Sequence, residues 1–134
     1  MITVTGYSVR RDRDRKMIIC TVNASYEEQH SLTLLPELAD AIAWARASAS
    51  LNVLFDNRAG RPLAPATSEA IRKIMFEDAS PTDRVAILVP SSVTKGLARP
   101  QTNAHCGLFL SESAALMWLI GEHPARPGVY QDAI

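Results

Sequence analysis

Asp56, Asn57 and Arg58 close an otherwise apolar run, LNVLF at 51–55. A carboxylate can serve as a general base or metal ligand, a guanidinium as an anion clamp, and an amide as donor and acceptor together. Ser91 and Ser92 follow a second apolar run, VAILV at 85–89, and Thr67 and Ser68 stand where a helix should begin. If the two runs are neighbouring strands, these side chains gather at one sheet edge. Asp56, Asn57, Arg58, Ser91 and Ser92 are therefore candidate ligand-binding residues. Thr67 and Ser68 are candidate phosphorylation sites, because the dipole and free amides of a helix N-terminus favour a phosphate. The same pair also suits plain N-capping.

Catalytic motifs are missing from the sequence. No histidine has a carboxylate at motif spacing, and there is no Gly-x-Ser-x-Gly, Walker-type loop or Gly-x-Gly-x-x-Gly. Asp56 can equally serve a turn, accepting backbone hydrogen bonds and pairing with Arg58 or Arg61. His30, His105 and His123 are scattered, and nothing in their spacing calls for a metal. Glu27, Glu28 and Glu112 read as acids of first helical turns. Cys20 and Cys106 form neither a disulfide framework nor a Cys-x-x-Cys pair, and His105 and Cys106 point to opposite faces of an extended strand. We expect no catalytic residue, no metal and no cofactor; the alternative is a small enzyme using Asp56 and Arg58.

The elements that must hold these residues follow from size and pattern. At 134 residues the chain fits one domain able to bury roughly two thirds of its unfolded surface. Fourteen basic and fourteen acidic residues cancel, which argues against a dedicated nucleic-acid or membrane-surface binder. No apolar stretch approaches the roughly 18 to 20 residues of a membrane span, and no secretory leader pattern is visible, so a cytoplasmic location is expected.

Ile2 to Val9 alternates, and Met17 to Val22 is apolar, which predicts a β-hairpin about the polar turn RRDRDRK at 10–16. That turn lacks an aromatic residue to stack on a base and reads as a solvated tip. Ser25 to Glu28 fits a capping box. Pro36 predicts a break near Leu32 to Leu35, with the main helix from Pro36 to about Ser48 and Leu38, Ile42 and Ala45 or Ala49 on its buried stripe. Trp44 falls at the margin of that stripe. The short runs at 51–55 and 85–89 have the continuous apolar character of strands buried on both faces. Between them, AGRPLAPA reads as a loop, and a helix follows to about Asp78. A short helix should open at Ser91 or Ser92, limited by Gly96 and Pro100. Cys106 to Leu110 is the last strand, Ser111 opens a helix ended by Gly121, and 123–134 is an extended tail in which Val129 and Tyr130 are the residues suited to docking.

The fold class is thus α/β, with a single mixed β-sheet of about five strands, an N-terminal hairpin plus parallel strands, and about four helices. Residues 1–122 form the domain. The hairpin start, LNVLFD with its following loop and capped helix, RVAILV, and the ending LFLSESAALMWL together resemble the STAS domains, named for sulfate transporters and anti-sigma-factor antagonists. The likeness is to the bacterial stand-alone branch grouped with lipid-binding domains, and it covers about residues 2 to 121. It implies a non-enzymatic regulatory or ligand-binding domain whose partner is a regulatory protein or a small anionic or lipid-like ligand. The antagonists of that family carry an Asp-Ser-Ser-Gly signature with a phosphorylated serine, whereas this chain has RPLAPATSEAIR there, with Thr67 and Ser68 close by. A homodimer through the hairpin edge or the tail is a further expectation.

Overall fold

Six extended residues on either side of a four-residue tip set up the first structural unit. The computed structural model describes residues 6–47, 50–59, 62–91 and 105–121. Strands β1 (Tyr7–Asp12) and β2 (Met17–Val22) pair antiparallel, from Tyr7 opposite Val22 to Asp12 opposite Met17. The ladder runs three residues further than the sequence pattern suggested, because Arg10 and Arg11 pair with Ile19 and Ile18 instead of belonging to the turn. Lys16 takes a positive φ of 54°, and the Asp12 carboxylate accepts the Arg15 N–H at 3.0 Å.

The approach to the first helix differs from the expected capping box. The Ser25 hydroxyl accepts the Gly6 N–H at 3.0 Å, while His30 Nδ1 accepts the Glu27 N–H at 2.8 Å. Gly6 is required here: its φ is +89°, and an added Cβ would lie 2.4 Å from His30 Nδ1. A 3-10 turn at Glu28–His30 runs straight into helix α1 (Ser31–Arg46). The break expected before Pro36 does not occur. Pro36 is exposed, and Leu32, whose carbonyl loses its partner, is 79% exposed, so the missing bond falls on the side where water can replace it. The buried stripe is Leu34, Leu38, Ala41, Ile42 and Ala45. Trp44 is half-buried at its margin, with the Arg11 guanidinium 5.4 Å from its ring centre.

Strand β3 (Asn52–Asp56), helix α2 (Pro65–Phe76), strand β4 (Arg84–Leu88), strand β5 (Cys106–Phe109) and helix α3 (Glu112–Ile120) follow. The sheet order is β1-β2-β3-β4-β5, with β2 to β5 parallel, so β3 is the central strand. Three α-helices are present among the described residues; the short helix expected after Ser91 and the tail at 123–134 lie outside them. Helices α1 and α2 cover one face, burying Ile18, Cys20, Val53, Phe55 and Val85. Helix α3 covers the other over β3, β4 and β5, where Leu54, Ala86, Leu88 and Phe109 meet Trp118. The Ser111 hydroxyl caps α3 by accepting the Ala114 N–H at 3.1 Å.

One buried ion pair ties the ends of α1, α2, β3 and β4 together. Arg46, in the last turn of α1, donates to Asp83 Oδ2 at 2.8 Å and to the carbonyls of Met75 at 2.8 Å and Asp78 at 3.0 Å. Asp83 is 3% exposed and also accepts the N–H of Leu51 at 2.9 Å and of Ser80 at 3.0 Å, plus the Ser80 hydroxyl at 3.0 Å. Burial alone would raise its pKa, but these hydrogen bonds and the Arg46 charge hold it below the usual carboxylate range. Removing the carboxylate strands Arg46 and the Leu51 amide, so Asp83→Ala should lose about 3 to 5 kcal/mol in urea denaturation. The folded-state pKa lies below the unfolded one, so this stability is complete above the unfolded value and is lost as pH falls through the folded value. Wild-type stability should therefore decline on acidification more steeply than that of Asp83→Asn.

Candidate functional site

Alternation along β3 divides the polar trio at its end. Leu54 faces α3, and so does Asp56; Phe55 faces α2, and so does Asn57. Asp56 is bound by its neighbour two residues on. Arg58 Nε donates to Asp56 Oδ1 at 3.0 Å, Nη2 to Oδ2 at 2.8 Å, and the Arg58 N–H to Oδ1 at 3.0 Å. Arg58 Nη2 also lies 3.6 Å from Glu112 at the start of α3. Burial would raise the pKa of Asp56, but the Arg58 hydrogen bonds and charge bring it below the ordinary range. A carboxylate held that way is a weak base near neutral pH, and the guanidinium opposite it is already paired with acids.

Asn57 turns the other way, into a cavity of about 160 Å³ between α2 and the sheet. Its N–H donates to the Leu88 carbonyl at 3.0 Å, carrying the β3–β4 pairing one residue past the strand. Phe55, Ile87, Leu108 and Cys106 supply the sheet side. Ile71, Met75 and Phe76 of α2 and Leu63 of the preceding loop supply the opposite side. Among the described residues three polar side chains line it: Asn57, Ser68 and Arg72. Neither Asp56 nor Arg58 lines it, so those two do not share a site with Asn57.

Thr67 and Ser68 sit one turn inside α2 instead of capping it. The helix starts at Pro65, with Ala64 as its N-cap, because proline is already fixed at a helical φ and has no N–H to satisfy. The capping is done by Glu28, from the turn before α1. Its carboxylate accepts the Ala64 N–H at 3.2 Å and the Thr67 hydroxyl. Thr67 is 5% exposed, whereas Ser68 is half-buried and faces the cavity. Ser91 is exposed, and Ser92 lies outside the described residues.

No protein-family model, curated protein or solved structure matches the chain.

His105 and the two thiols occupy structural settings. His105 stacks on Phe76 with ring centres 6.2 Å apart, and its Nδ1 is 3.3 Å from the Asp83 carbonyl. Cys20 is buried, and burial with Glu37 nearby pushes its thiol up to about 12, which keeps it protonated. Cys106 is buried as well and forms part of the cavity wall. Among the described residues no three of His, Cys, Asp and Glu gather closely enough to hold a metal ion. No helix of the described residues is long and apolar enough to cross a membrane.

Arg72 was missed in the sequence, although a signal existed. Ser68, Ile71, Arg72 and Met75 recur at the three-and-four spacing of one helical face, so two polar residues share the stripe that packs toward the sheet. Because Glu28 provides the capping, Glu28→Ala should cost about 0.5 to 2 kcal/mol in thermal or urea unfolding. Faster amide exchange at 64–68 should accompany it, with exchange in α3 unchanged.

Proposed function

We propose that this chain is a non-enzymatic, STAS-like ligand-binding domain that takes a small molecule into the cavity beneath α2. One observation carries the reading. A largely apolar cavity opens at the carboxyl end of the central strand, and its described polar residues converge from two sides, Asn57 just past β3 and Ser68 and Arg72 from α2. Crevices outside strand ends are where open α/β sheets bind ligands, and apolar walls with a few placed polar groups are the usual make-up of such sites. The pairing of Asp56 with Arg58 weighs against the enzyme alternative, since it occupies both groups that alternative needs. The resemblance of the core segments to STAS domains adds a regulatory role, in which occupancy of the cavity alters what a protein partner meets.

An NMR titration of the labelled protein with a library of small anionic and apolar compounds tests this. Amide shifts should cluster at 55–57, 68–76, 87 and 106–108. Ile87→Phe, which fills the cavity, should abolish them while the rest of the spectrum is retained; Asp56→Asn should leave binding intact. Turnover of any library member that is lost in Asp56→Asn would instead establish the enzyme.

A second reading, contact with another protein, is favoured by α3. Met117 is 62% exposed and Ile120 58%, on a helix whose opposite side is buried against the sheet. Large apolar side chains exposed together in this way commonly mark protein contacts. If they mediate self-association, light scattering over a concentration series should show a dimer that Met117→Lys with Ile120→Lys returns to monomer.

A further inference from the structure

We infer that the segment 122–134 of the same chain docks across the β1–β2 part of the sheet face that carries α3, with Tyr130 on Ile19 and the Asp132 carboxylate on Arg10. This surface lies on the opposite side of the sheet from the cavity and is independent of it. The contrast within β2 marks it out. Ile18, Cys20 and Val22 face α1 and are at most 1% exposed, whereas Ile19 and Thr21 on the other face are only half-buried. Pairing sets Arg10 of β1 opposite Ile19, Ile19 beside Leu54 and Leu54 beside Ala86, so these four form one row across the sheet. Helix α3 packs on β3, β4 and β5 and so takes the Leu54 and Ala86 end of the row. At the other end an isoleucine in the middle of a sheet still has apolar surface in water, beside an exposed arginine. A sheet face of that kind is stabilised by a further layer.

Charge selects the occupant. Arg10 forms no ion pair among the described residues. Asp12, the acid on its own face of β1, is turned to Arg15, accepting its N–H at 3.0 Å and lying 3.8 Å from its Nε. Of the stretches outside the described residues, 1–5, 48–49, 60–61 and 92–104 contain no Asp or Glu, whereas 122–134 contains Glu122 and Asp132. That segment also departs from a suitable place. Arg84, at the start of β4, donates to the carbonyls of Trp118 at 2.6 Å and Gly121 at 3.1 Å, which fixes the end of α3 two strands from β2 on this same face. Two strand spacings are about 10 Å, and the chain from Gly121 to Tyr130 reaches up to about 30 Å when extended. Tyr130 and Asp132, two residues apart, leave the same side of an extended segment, matching the neighbouring Ile19 and Arg10 beneath. The tyrosine ring then covers the isoleucine while the carboxylate meets the guanidinium.

NMR on the full chain tests this through NOEs between the Tyr130 ring and the Ile19 methyls, which should be present and intramolecular. Tyr130→Ala should remove a ring-current shift from those methyls. Arg10→Asp and Asp132→Arg should each lower the ratio of docked to undocked tail about two- to fivefold, the range for an exposed ion pair, and the two changes together should restore it. Arg10 is exposed on an edge strand, and retained amide dispersion in α1 and α2 confirms that each variant is folded. If Ile19 shows no NOE to 129–132, the docking is refuted. If the NOEs arise between chains in a mixture of labelled and unlabelled protein, a second copy is the occupant and the assignment to the same chain is wrong. If the contact is present but the charge swap does not restore it, the pairing of Asp132 with Arg10 is overturned.

Discussion

Burial of β3 on both faces is the constraint from which the rest follows. Val53, Leu54 and Phe55 are all buried, yet successive side chains must leave opposite sides of the strand. Phe55 is therefore committed to the α1–α2 layer and Leu54 to the α3 layer, and the rule continues into the polar residues behind them. Three consecutive polar residues cannot act together under that rule. Asp56 and Arg58 become a hydrogen-bonded pair beside α3, and Asn57 is delivered alone to the cavity on the far side.

The edges of this layered arrangement are fixed by polar groups reaching between elements distant in sequence. Arg46 and Asp83 join the end of α1 to the end of α2 and to the chain entering β3 and β4. Glu28 joins the turn before α1 to the start of α2. Both ends of α2 are thus held by charged side chains from outside it, and between those anchors the helix stands over the cavity. The ion pair is tolerable in the interior because every lone pair of Asp83 has a donor nearby, which offsets the desolvation of the charge.

Where the sequence was informative, periodicity was the reason. The unbroken apolar runs at 51–55 and 85–89 identified the two doubly covered strands, and the stripe Leu38, Ile42, Ala45 identified the face of α1. The hairpin and the capped last helix were legible from alternation and from Ser111 with Gly121. Pro36 misled because its cost depends on which side of the helix loses the bond, and that side is set by packing. Thr67 and Ser68 misled because a proline two residues earlier was the better start, with the cap supplied by Glu28 from 36 residues away in sequence. The cavity was half legible. Its Asn57 and Ser68 were named as candidates, and the spacing of Ser68, Ile71, Arg72 and Met75 carried a signal for the α2 side, but which strand residues meet that face is settled by packing.

Glu28 gives the arrangement a property that none of the cavity's own residues provides. The first turn of α2 carries Ser68, and its height above the sheet is fixed by a carboxylate belonging to the segment that opens α1. The first turn of α2 is therefore held from a distance, by a side chain that has no place in the cavity wall.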